Sequence, residues 1–179
     1  MKNAVKEIIS MSLYILVILA ATYLIVHFVA QRTVVQGSSM ESTLQDGDNL
    51  ICDKITYRFR DPKRFEIIVF PFQYEEHTYF IKRIIGLPGE KVRIDAEGTI
   101  YINDKPLEEH YGREVIQDPG RASTEITLGD DEYFVMGDNR NNSMDSRTDM
   151  VGSIKRSQLI GRCVCRIWPF SKVGSILPK

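Results

Sequence analysis

The sequence predicts a mostly-β protein in which a single N-terminal transmembrane helix precedes an all-β domain. Two observations support this fold class. A run near the N-terminus is apolar and long enough to cross a bilayer. Beyond residue 31, short β-branched and aromatic segments alternate with turn-forming residues, and no strong helical period is found except a short turn around residues 155–159. The predicted division is therefore an N-terminal anchor, residues 1–31, and a β-rich domain, residues 32–179.

The predicted membrane helix, residues 8–30, contains no Asp, Glu, Lys or Arg. About 23 helical residues span roughly 34 Å, which is enough for a hydrocarbon core of about 30 Å. A cleaved signal peptide would end with small residues at −3 and −1, and Phe28 fits the −3 position badly, so a retained anchor is expected. Lys2 and Lys6 precede the helix and only Arg32 follows closely. The positive-inside rule then places the N-terminus in the cytoplasm and the β-rich domain on the outer side of the cell membrane.

The β-rich domain is predicted to contain strands separated by turns. Each strand is a short run rich in β-branched or aromatic residues, and Gly, Pro, Asn and Asp stand between the runs. The predicted strands are residues 49–53, 65–72, 79–85, 91–94, 99–102, 132–136 and 161–168. Residues 105–127 are polar and irregular, which predicts a long loop or a small subdomain.

Composition excludes several classes of function. The formal net charge is −1 and no basic stripe stands out, so nucleic acid is not an expected partner. Three cysteines, Cys52, Cys163 and Cys165, are too few for a disulfide framework. Cys163 and Cys165 alternate with Val164, which favours two small apolar side chains on one face of a strand. No second Cys or His pair is spaced for zinc, so neither a metal nor another cofactor is expected.

The junction between the helix and the β-rich domain contains a candidate nucleophile. Gly37-Ser38-Ser39-Met40 follows residue 30 closely and places a serine in a glycine-led turn beside the membrane. A serine hydroxyl is a weak nucleophile at neutral pH, so it needs a base to take its proton during attack. An isolated turn serine is usually structural, and the interpretation therefore depends on finding that base.

Lys82 is the best candidate for the base. It lies in residues 79–85 and, on a strand, would share a face with the apolar side chains of Phe80 and Ile84. Partial desolvation would lower the pKa of its ammonium group, so a neutral amine could act as general base near neutral pH. The alternative is an exposed strand lysine. The histidines are weaker candidates, since one falls in the membrane run and the others in polar segments: His27, His77 and His110.

A third stretch, residues 137–147 with the sequence GDNRNNSMDSR, directly follows the predicted strand 132–136. Short polar side chains at this density suit a rigid loop with many hydrogen bonds from side chain to backbone. Taken alone, the same composition also fits a solvated surface loop.

Together these stretches resemble the bacterial type I signal peptidases, the Ser-Lys membrane proteases that remove signal peptides from exported proteins. Residues 39–40 and 43–44 resemble the nucleophile box of that family. Residues 79–90, YFIKRIIGLPGE, are similar to its lysine box, and residues 137–147 match its GDNRxNSxDSR box throughout. The similarity extends from the anchor to about Arg166, and the single anchor and compact outer domain resemble the Gram-positive form.

The resemblance implies a catalytic role for each matching residue. Ser39 would be the nucleophile, Lys82 the general base, and Ser143 a hydroxyl that hydrogen-bonds the lysine amine and orients it. The backbone N–H of Ser39 would hold the oxyanion. An ion pair and a further carboxylate would hold the loop beside the site: Asp145 with Arg147, supported by Asp138.

Three positions depart from the family pattern. Some relatives have a serine hydroxyl in the oxyanion hole two residues before the nucleophile, where this chain has Gly37, and Ser38 does not match that position. Ser42 stands where proline is usual, which loosens the turn after the nucleophile. Phe65-Glu66 replaces the more usual Gly-Asp at the start of the next conserved strand. None of these changes removes the nucleophile or the base.

The implied substrates are secretory preproteins, cut after small residues at −3 and −1. The signal peptide would lie extended beside an exposed strand, with shallow apolar pockets for the small side chains. The predicted pocket residues are Val35, Leu44, Phe80 and Ile81. The chain from residue 30 to residue 39 extends at most roughly 30 Å, so the site is tethered near the outer leaflet of the lipid bilayer.

Two alternatives remain. A self-cleaving Ser-Lys regulator would share the dyad, but such proteins are soluble and carry DNA-binding segments, and this chain has an anchor and no basic helix. A non-catalytic, membrane-anchored β-domain that binds exported chains is compatible with Gly37, Ser42 and Phe65, whereas the presence of Ser39 and Lys82 argues against it.

Overall fold

The computed structural model describes residues 2–178, apart from the side chains of residues 2–4 and of His27. The side chain of Lys2, which was counted in the predicted charge asymmetry, and that of His27 therefore lie outside the described part. A helix, α1 (Lys2–Leu24), is joined by a π-helical turn (Ile25–Val29) to the first strand. Within it, Val5–Leu24 has a mean hydropathy of 1.9 and is not buried inside the protein, so by length and composition it is able to cross a membrane.

The rest of the described chain is mostly β, which confirms the predicted fold class. The strands, in chain order, are β1 (Ala30–Val34), β2 (Asn49–Asp53), β3 (Ile67–Pro71), β4 (Tyr79–Gly86), β5 (Lys91–Ile94), β6 (Ile100–Ile102), β7 (Lys105–Pro106), β8 (Ile126–Thr127), β9 (Glu132–Met136), β10 (Ile154–Lys155), β11 (Gly161–Trp168) and β12 (Gly174–Ser175). Short 3₁₀ turns, among them Gly120–Ser123 and Arg156–Gln158, connect some of them.

Within residues 2–178 the strands form two antiparallel sheets. The larger sheet has the order β1-β2-β11-β3-β4-β9-β10, and β12 also pairs with β11. The smaller sheet has the order β7-β6-β5-β8. The segment predicted as a long loop or small subdomain, residues 105–127, supplies the two edge strands of this smaller sheet, β7 and β8.

The core lies on both faces of the larger sheet because its middle strand, β3, is apolar at every position. On β3, Ile67 and Val69 pack into one buried cluster, whereas Ile68 and Phe70 pack into another on the opposite face. This follows from the pleat, which directs successive side chains to opposite faces. A third cluster, which includes Ile85, fills the space against the smaller sheet.

Two differences from the sequence prediction concern the ends of elements and the cysteines. Ala30, the last residue of the predicted membrane helix, is extended and begins β1, so this strand crosses the predicted boundary at residue 31. Cys163 was expected to be a small apolar core residue, but it forms a disulfide with Cys52. The pairing of β2 with β11 places these two cysteines opposite each other, with their Cα atoms 4.0 Å apart, while Cys165 is free and lies beyond a bulge.

Candidate active site

The turn that follows β1 contains Ser39. It comprises residues 37–44 and is called the Ser39 turn below. Two buried side chains, Met40 and Leu44, attach the turn to the core below it. Gly37 adopts a φ of 84°, which a residue without a Cβ adopts readily, and its N–H donates to Asp46 Oδ1 over 2.8 Å. The nucleophile candidate is therefore held by a compact turn whose neighbouring residues are anchored on the core side.

Lys82 reaches the same point from β4, which β2, β11 and β3 separate from β1 in the order of the larger sheet. Its Nζ donates to Ser39 Oγ over 2.7 Å, and only 3% of the residue is exposed. The amine also lies 4.9 Å from the centre of the Phe80 ring. Desolvation by this burial lowers the pKa of Lys82 from 10.5 to about 8, although the negative charges of Asp145 and Asp138 oppose the change.

The other titratable candidates for the base do not occupy a comparable position. His77 and His110 are both exposed, as their polar sequence surroundings predicted. His77 does line the outer part of the groove beside Ser39, but no hydrogen bond joins it to that serine. Among the described side chains, Lys82 is the basic group that contacts the nucleophile candidate.

Residues 137–147 form a loop that binds the Ser39 turn through hydrogen bonds. The backbone N–H of Asn139 donates to the carbonyl oxygen of Ser39 over 3.0 Å, and its side chain donates to the carbonyl oxygen of Ser38 over 3.1 Å. Asn142 Nδ2 donates to Ser38 Oγ over 2.8 Å. A Cβ atom at Gly137 would collide with the Ser143 side chain and with the carbonyl oxygen of Ser39, so this close approach requires glycine.

The charged residues of the loop are buried in ion pairs. Arg147 binds Asp145 through two hydrogen bonds, Nε to Oδ1 over 2.8 Å and Nη2 to Oδ2 over 2.9 Å, and both side chains are at most 7% exposed. Asp138 forms an equally buried pair with Arg83, the residue that follows Lys82 on β4. The Oδ2 atom of Asp138 also accepts the hydroxyl of Thr43, which belongs to the Ser39 turn. The Asp138 carboxylate therefore connects the loop, the turn and β4, whereas Asp145 and Arg147 bind each other within the loop.

Ser143 lies in this loop, but the predicted hydrogen bond to Lys82 is not formed. Its Oγ is buried and has no hydrogen-bond partner in the part of the chain that the structure describes. The hydroxyl lies so close to Gly137 that a Cβ atom there would collide with it. Its role in orienting the lysine amine stays a prediction.

A groove of about 570 Å³ runs past Ser39 and Lys82. Its walls include residues 31–40, on and after β1, and residues 77–82, at the start of β4. β1 pairs only with β2, and β4 pairs with β9 only from Arg83 onward, so both walls have unpaired backbone groups on one edge. Three predicted pocket residues line the groove, namely Val35, Phe80 and Ile81. Leu44 does not, since it is fully buried in the core beneath the turn.

The arrangement is suited to acyl transfer. A serine hydroxyl lies within hydrogen-bonding distance of an amine whose pKa is lowered, which is the geometry of an activated nucleophile. The backbone N–H of Ser39 donates no hydrogen bond within residues 2–178, so it is available to an oxyanion. No cluster of three or more His, Cys, Asp or Glu side chains that could hold a metal occurs among the described residues.

Sequence reasoning missed several residues that shape this site. Arg83 was not singled out, although it stands next to Lys82 in the same motif. Asn139 and Asn142 belong to the polar loop, but no sequence signal shows that they bind the backbone and side chain of Ser38. The contribution of Gln31 and its neighbours on β1 to the groove was also missed, because the stretch is polar and short.

Comparison with known proteins identifies relatives over most of the chain. Residues 7–168 match the family described as signal peptidase, peptidase S26. A probable signal peptidase I-2 of Synechocystis is 46% identical over 152 residues, which cover 82% of this chain and 67% of that protein. A signal peptidase I of Bacillus caldolyticus is 36% identical over 156 residues, with 81% of this chain and 83% of that protein covered. A crystal structure of a signal peptidase I from Enterococcus faecalis is 32% identical with a TM-score of 0.46, and the match covers 57% of this chain and 97% of that one.

Proposed function

We propose that this chain, which belongs to the signal peptidase family (peptidase S26) and is a peptidase, is a serine endopeptidase with a Ser39–Lys82 dyad. We further propose that it is anchored in the membrane. Its substrates are exported preproteins, from which it removes the N-terminal signal peptide after small residues at −3 and −1. The observation that carries the proposal is the 2.7 Å contact between Lys82 Nζ and Ser39 Oγ at a site where the lysine is 3% exposed.

The reaction needs the neutral amine of Lys82. As Ser39 Oγ attacks the scissile carbonyl carbon, Lys82 Nζ takes the hydroxyl proton, and the backbone N–H of Ser39 donates to the developing oxyanion. The resulting ammonium group protonates the leaving amine, which departs as the mature protein and leaves the signal peptide esterified to Ser39. A water molecule then attacks the ester while Lys82 takes its proton, and return of that proton to Ser39 Oγ releases the peptide and restores the enzyme.

The groove supports binding of an extended peptide. Its unpaired strand edges on β1 and β4 offer N–H and C=O groups to a substrate strand, in the manner of strand addition. Val35, Phe80 and Ile81 give this groove an apolar lining next to Ser39. Small substrate side chains at −3 and −1 fit such a lining without displacing the strands.

The anchor and the loop complete the proposed machinery. α1 is the proposed membrane span, with the N-terminus cytoplasmic and the β-rich domain outside, so β1 starts at the membrane exit. The Asp138 carboxylate holds the loop against the Ser39 turn, and the Asp145–Arg147 pair stabilises the loop internally. Ser143 orients the lysine amine once substrate is bound. No observation favours the self-cleaving regulator, and the contact between Ser39 and Lys82 favours catalysis over binding of exported chains alone.

The direct test is cleavage of a preprotein by the detergent-solubilised full chain. Ser39→Ala and Lys82→Ala are each expected to abolish cleavage, and the double variant to be hardly worse than either single one, because the two groups act as a unit. Ser42→Ala, in an exposed position of the same turn, is the matched control and should remain active. Substantial cleavage by Lys82→Ala, combined with loss in His77→Ala, would overturn the Ser-Lys assignment.

A further inference from the structure

Arg83 connects the strand that carries the base to the turn that carries the nucleophile. It follows Lys82 on β4 and is 1% exposed. Its Nε donates to Asp138 Oδ1 over 2.8 Å, and its Nη2 donates to Asp138 Oδ2 over 2.6 Å and to Thr43 Oγ1 over 3.3 Å. The Thr43 hydroxyl in turn donates to Asp138 Oδ2 over 2.5 Å. The orientation of this guanidinium group therefore affects where Lys82 and Ser39 lie relative to each other.

Two aromatic residues contact that guanidinium group, Tyr111 through its ring and Phe65 through its backbone carbonyl. The ring of Tyr111 lies over it, with 3.7 Å between the Arg83 Cζ atom and the ring centre. The ring of Phe65 contacts Tyr111, with 5.1 Å between the ring centres. The backbone carbonyl of Phe65 accepts a hydrogen bond from Arg83 Nη1 over 2.8 Å. We refer to Phe65 and Tyr111 as the aromatic clamp.

Phe65 occupies a backbone conformation that is unusual for a bulky residue. Its φ is 71°, in the left-handed region where glycine is ordinarily found. A phenylalanine there is unfavourable unless its surroundings compensate. The contacts that hold Phe65 include its N–H bond to the carbonyl oxygen of Ile84 over 2.8 Å, its ring contact with Tyr111 and its carbonyl contact with Arg83. The last two link Phe65 to the Arg83–Tyr111 stack.

We propose that the aromatic clamp positions the catalytic dyad: Tyr111 and Phe65 keep the Arg83 guanidinium in the orientation that binds Asp138 and the Ser39 turn. A guanidinium group packs flat on an aromatic face and presents its N–H groups in the plane, so the stack fixes the direction of the hydrogen bonds. Neither ring lines the groove at Ser39, so both residues act through Arg83 and are positioning residues. The inference rests on the proposed Ser39–Lys82 function.

The chain contains a matched control for the stack. Arg93 lies under the ring of Tyr101 with 4.3 Å between its Cζ atom and the ring centre, on β5 and β6 of the smaller sheet. This second pair has the same chemistry but no hydrogen bond to the Ser39 turn, to Lys82 or to the loop 137–147. Tyr101→Leu therefore shows how much the loss of such a stack changes kcat when the stack has no connection to the site.

The test compares peptide cleavage by the full chain in detergent, with a synthetic substrate that has alanine at −3 and −1. Tyr111→Leu is expected to lower kcat by about tenfold to a hundredfold, as a small misplacement of catalytic groups does, with KM within about twofold of the wild type. Tyr111→Phe keeps the ring and is expected to restore the wild-type kcat. Tyr101→Leu is expected to leave kcat unchanged.

Phe65→Gly keeps the experiment decisive if Tyr111→Leu fails to fold. Glycine adopts a φ of 71° freely and lacks the ring, so this variant should fold and show a kcat lowered by about threefold to tenfold. A wild-type kcat in folded Tyr111→Leu or Phe65→Gly, or a Tyr111→Phe variant as slow as Tyr111→Leu, would overturn the clamp. Ser39→Ala and Lys82→Ala are assayed in parallel: if they cleave, the proposed function is wrong, and if they are inactive while the clamp variants match the wild type, only the clamp is wrong.

Discussion

At the scale of one residue, the burial of Lys82 gives its amine the property that the proposed mechanism requires. Its side chain is 3% exposed and its amine faces a serine hydroxyl and an aromatic ring, with no carboxylate in direct contact. The amine therefore loses hydration without gaining a salt-bridge partner, and its pKa falls to about 8. A lysine with an ordinary pKa would be protonated at neutral pH and could not accept the serine proton.

The pH dependence of cleavage should follow this lowered pKa. Only the free amine is active, so kcat/KM should rise as pH increases and reach half its limiting value near pH 8. The measurement is peptide cleavage by the solubilised full chain between about pH 6 and 10. A rate that stays near zero until pH approaches the ordinary lysine value of 10.5 would contradict the role given to desolvation.

The same burial should reduce the stability of the fold. The folded pKa of about 8 is below the value of 10.5 for an exposed lysine, so the unfolded chain binds more protons between these two values. Lys82→Met should therefore increase the free energy of unfolding by about 3 kcal/mol below pH 8, and this gain should decline to nothing towards pH 10.5. Denaturant unfolding at pH 7 and pH 10 checks it, with Lys105→Met, at an exposed position, as the control. An equal gain at both pH values would indicate improved packing and not removal of a buried amine.

At the scale of elements, the loop 137–147 depends on how closely it approaches the Ser39 turn. Gly137→Ala should reduce cleavage by more than about a hundredfold, because the added methyl group would separate the loop from the carbonyl of Ser39 and misplace the catalytic groups. Overpacking of this kind should cost about 1–3 kcal/mol of stability, so the variant should remain folded. Gly174→Ala is the control, since a Cβ there meets no atom within 4 Å. Similar cleavage by the two variants would show that the close approach is not needed.

Ser143 in the same loop allows the predicted orienting role to be tested. Ser143→Ala should lower kcat by roughly tenfold to a hundredfold with little change in KM, which corresponds to loss of one hydrogen bond worth about 1–3 kcal/mol. The hydroxyl is buried and unpaired within the described chain, so its removal should not destabilise the fold. A wild-type kcat in the folded variant would remove Ser143 from the catalytic machinery.

Features that a short stretch of sequence defines by itself could be predicted. Features that depend on contact between segments far apart in the sequence could not. The strands at 49–53, 91–94, 132–136 and 161–168 were predicted with their observed bounds, because apolar runs and flanking turn residues define them. β1 is polar and exists only because it pairs with β2. The Cys52–Cys163 disulfide depends on strand register across 111 residues. Likewise, Ser39 and Lys82 follow from motifs, whereas the stack of Tyr111 on Arg83 arises from packing between distant segments.

At the scale of the whole molecule, the proposed membrane anchor α1 and the candidate site are joined by a short, structured connection. α1 leads through one π-helical turn into β1, and β1 leads into the turn that holds Ser39. The apolar part of the helix, Val5–Leu24, is not buried inside the protein. Peptide cleavage should therefore not need α1, whereas confinement of the enzyme to a membrane surface should need it.

Removing residues 1–24 separates these two contributions. The truncation leaves β1 complete, so it should cleave a soluble peptide with small residues at −3 and −1 at about the wild-type rate. On a preprotein inserted in vesicles it should be slower by about a hundredfold, because the helix no longer confines enzyme and substrate to one surface. Removing residues 1–31 also deletes Ala30 and Gln31, which pair with Asp53 and Cys52 on β2, and should lower cleavage of both substrates. If the shorter truncation lost activity equally on peptide and preprotein, the helix would be a support for the site and the tethering argument would be wrong.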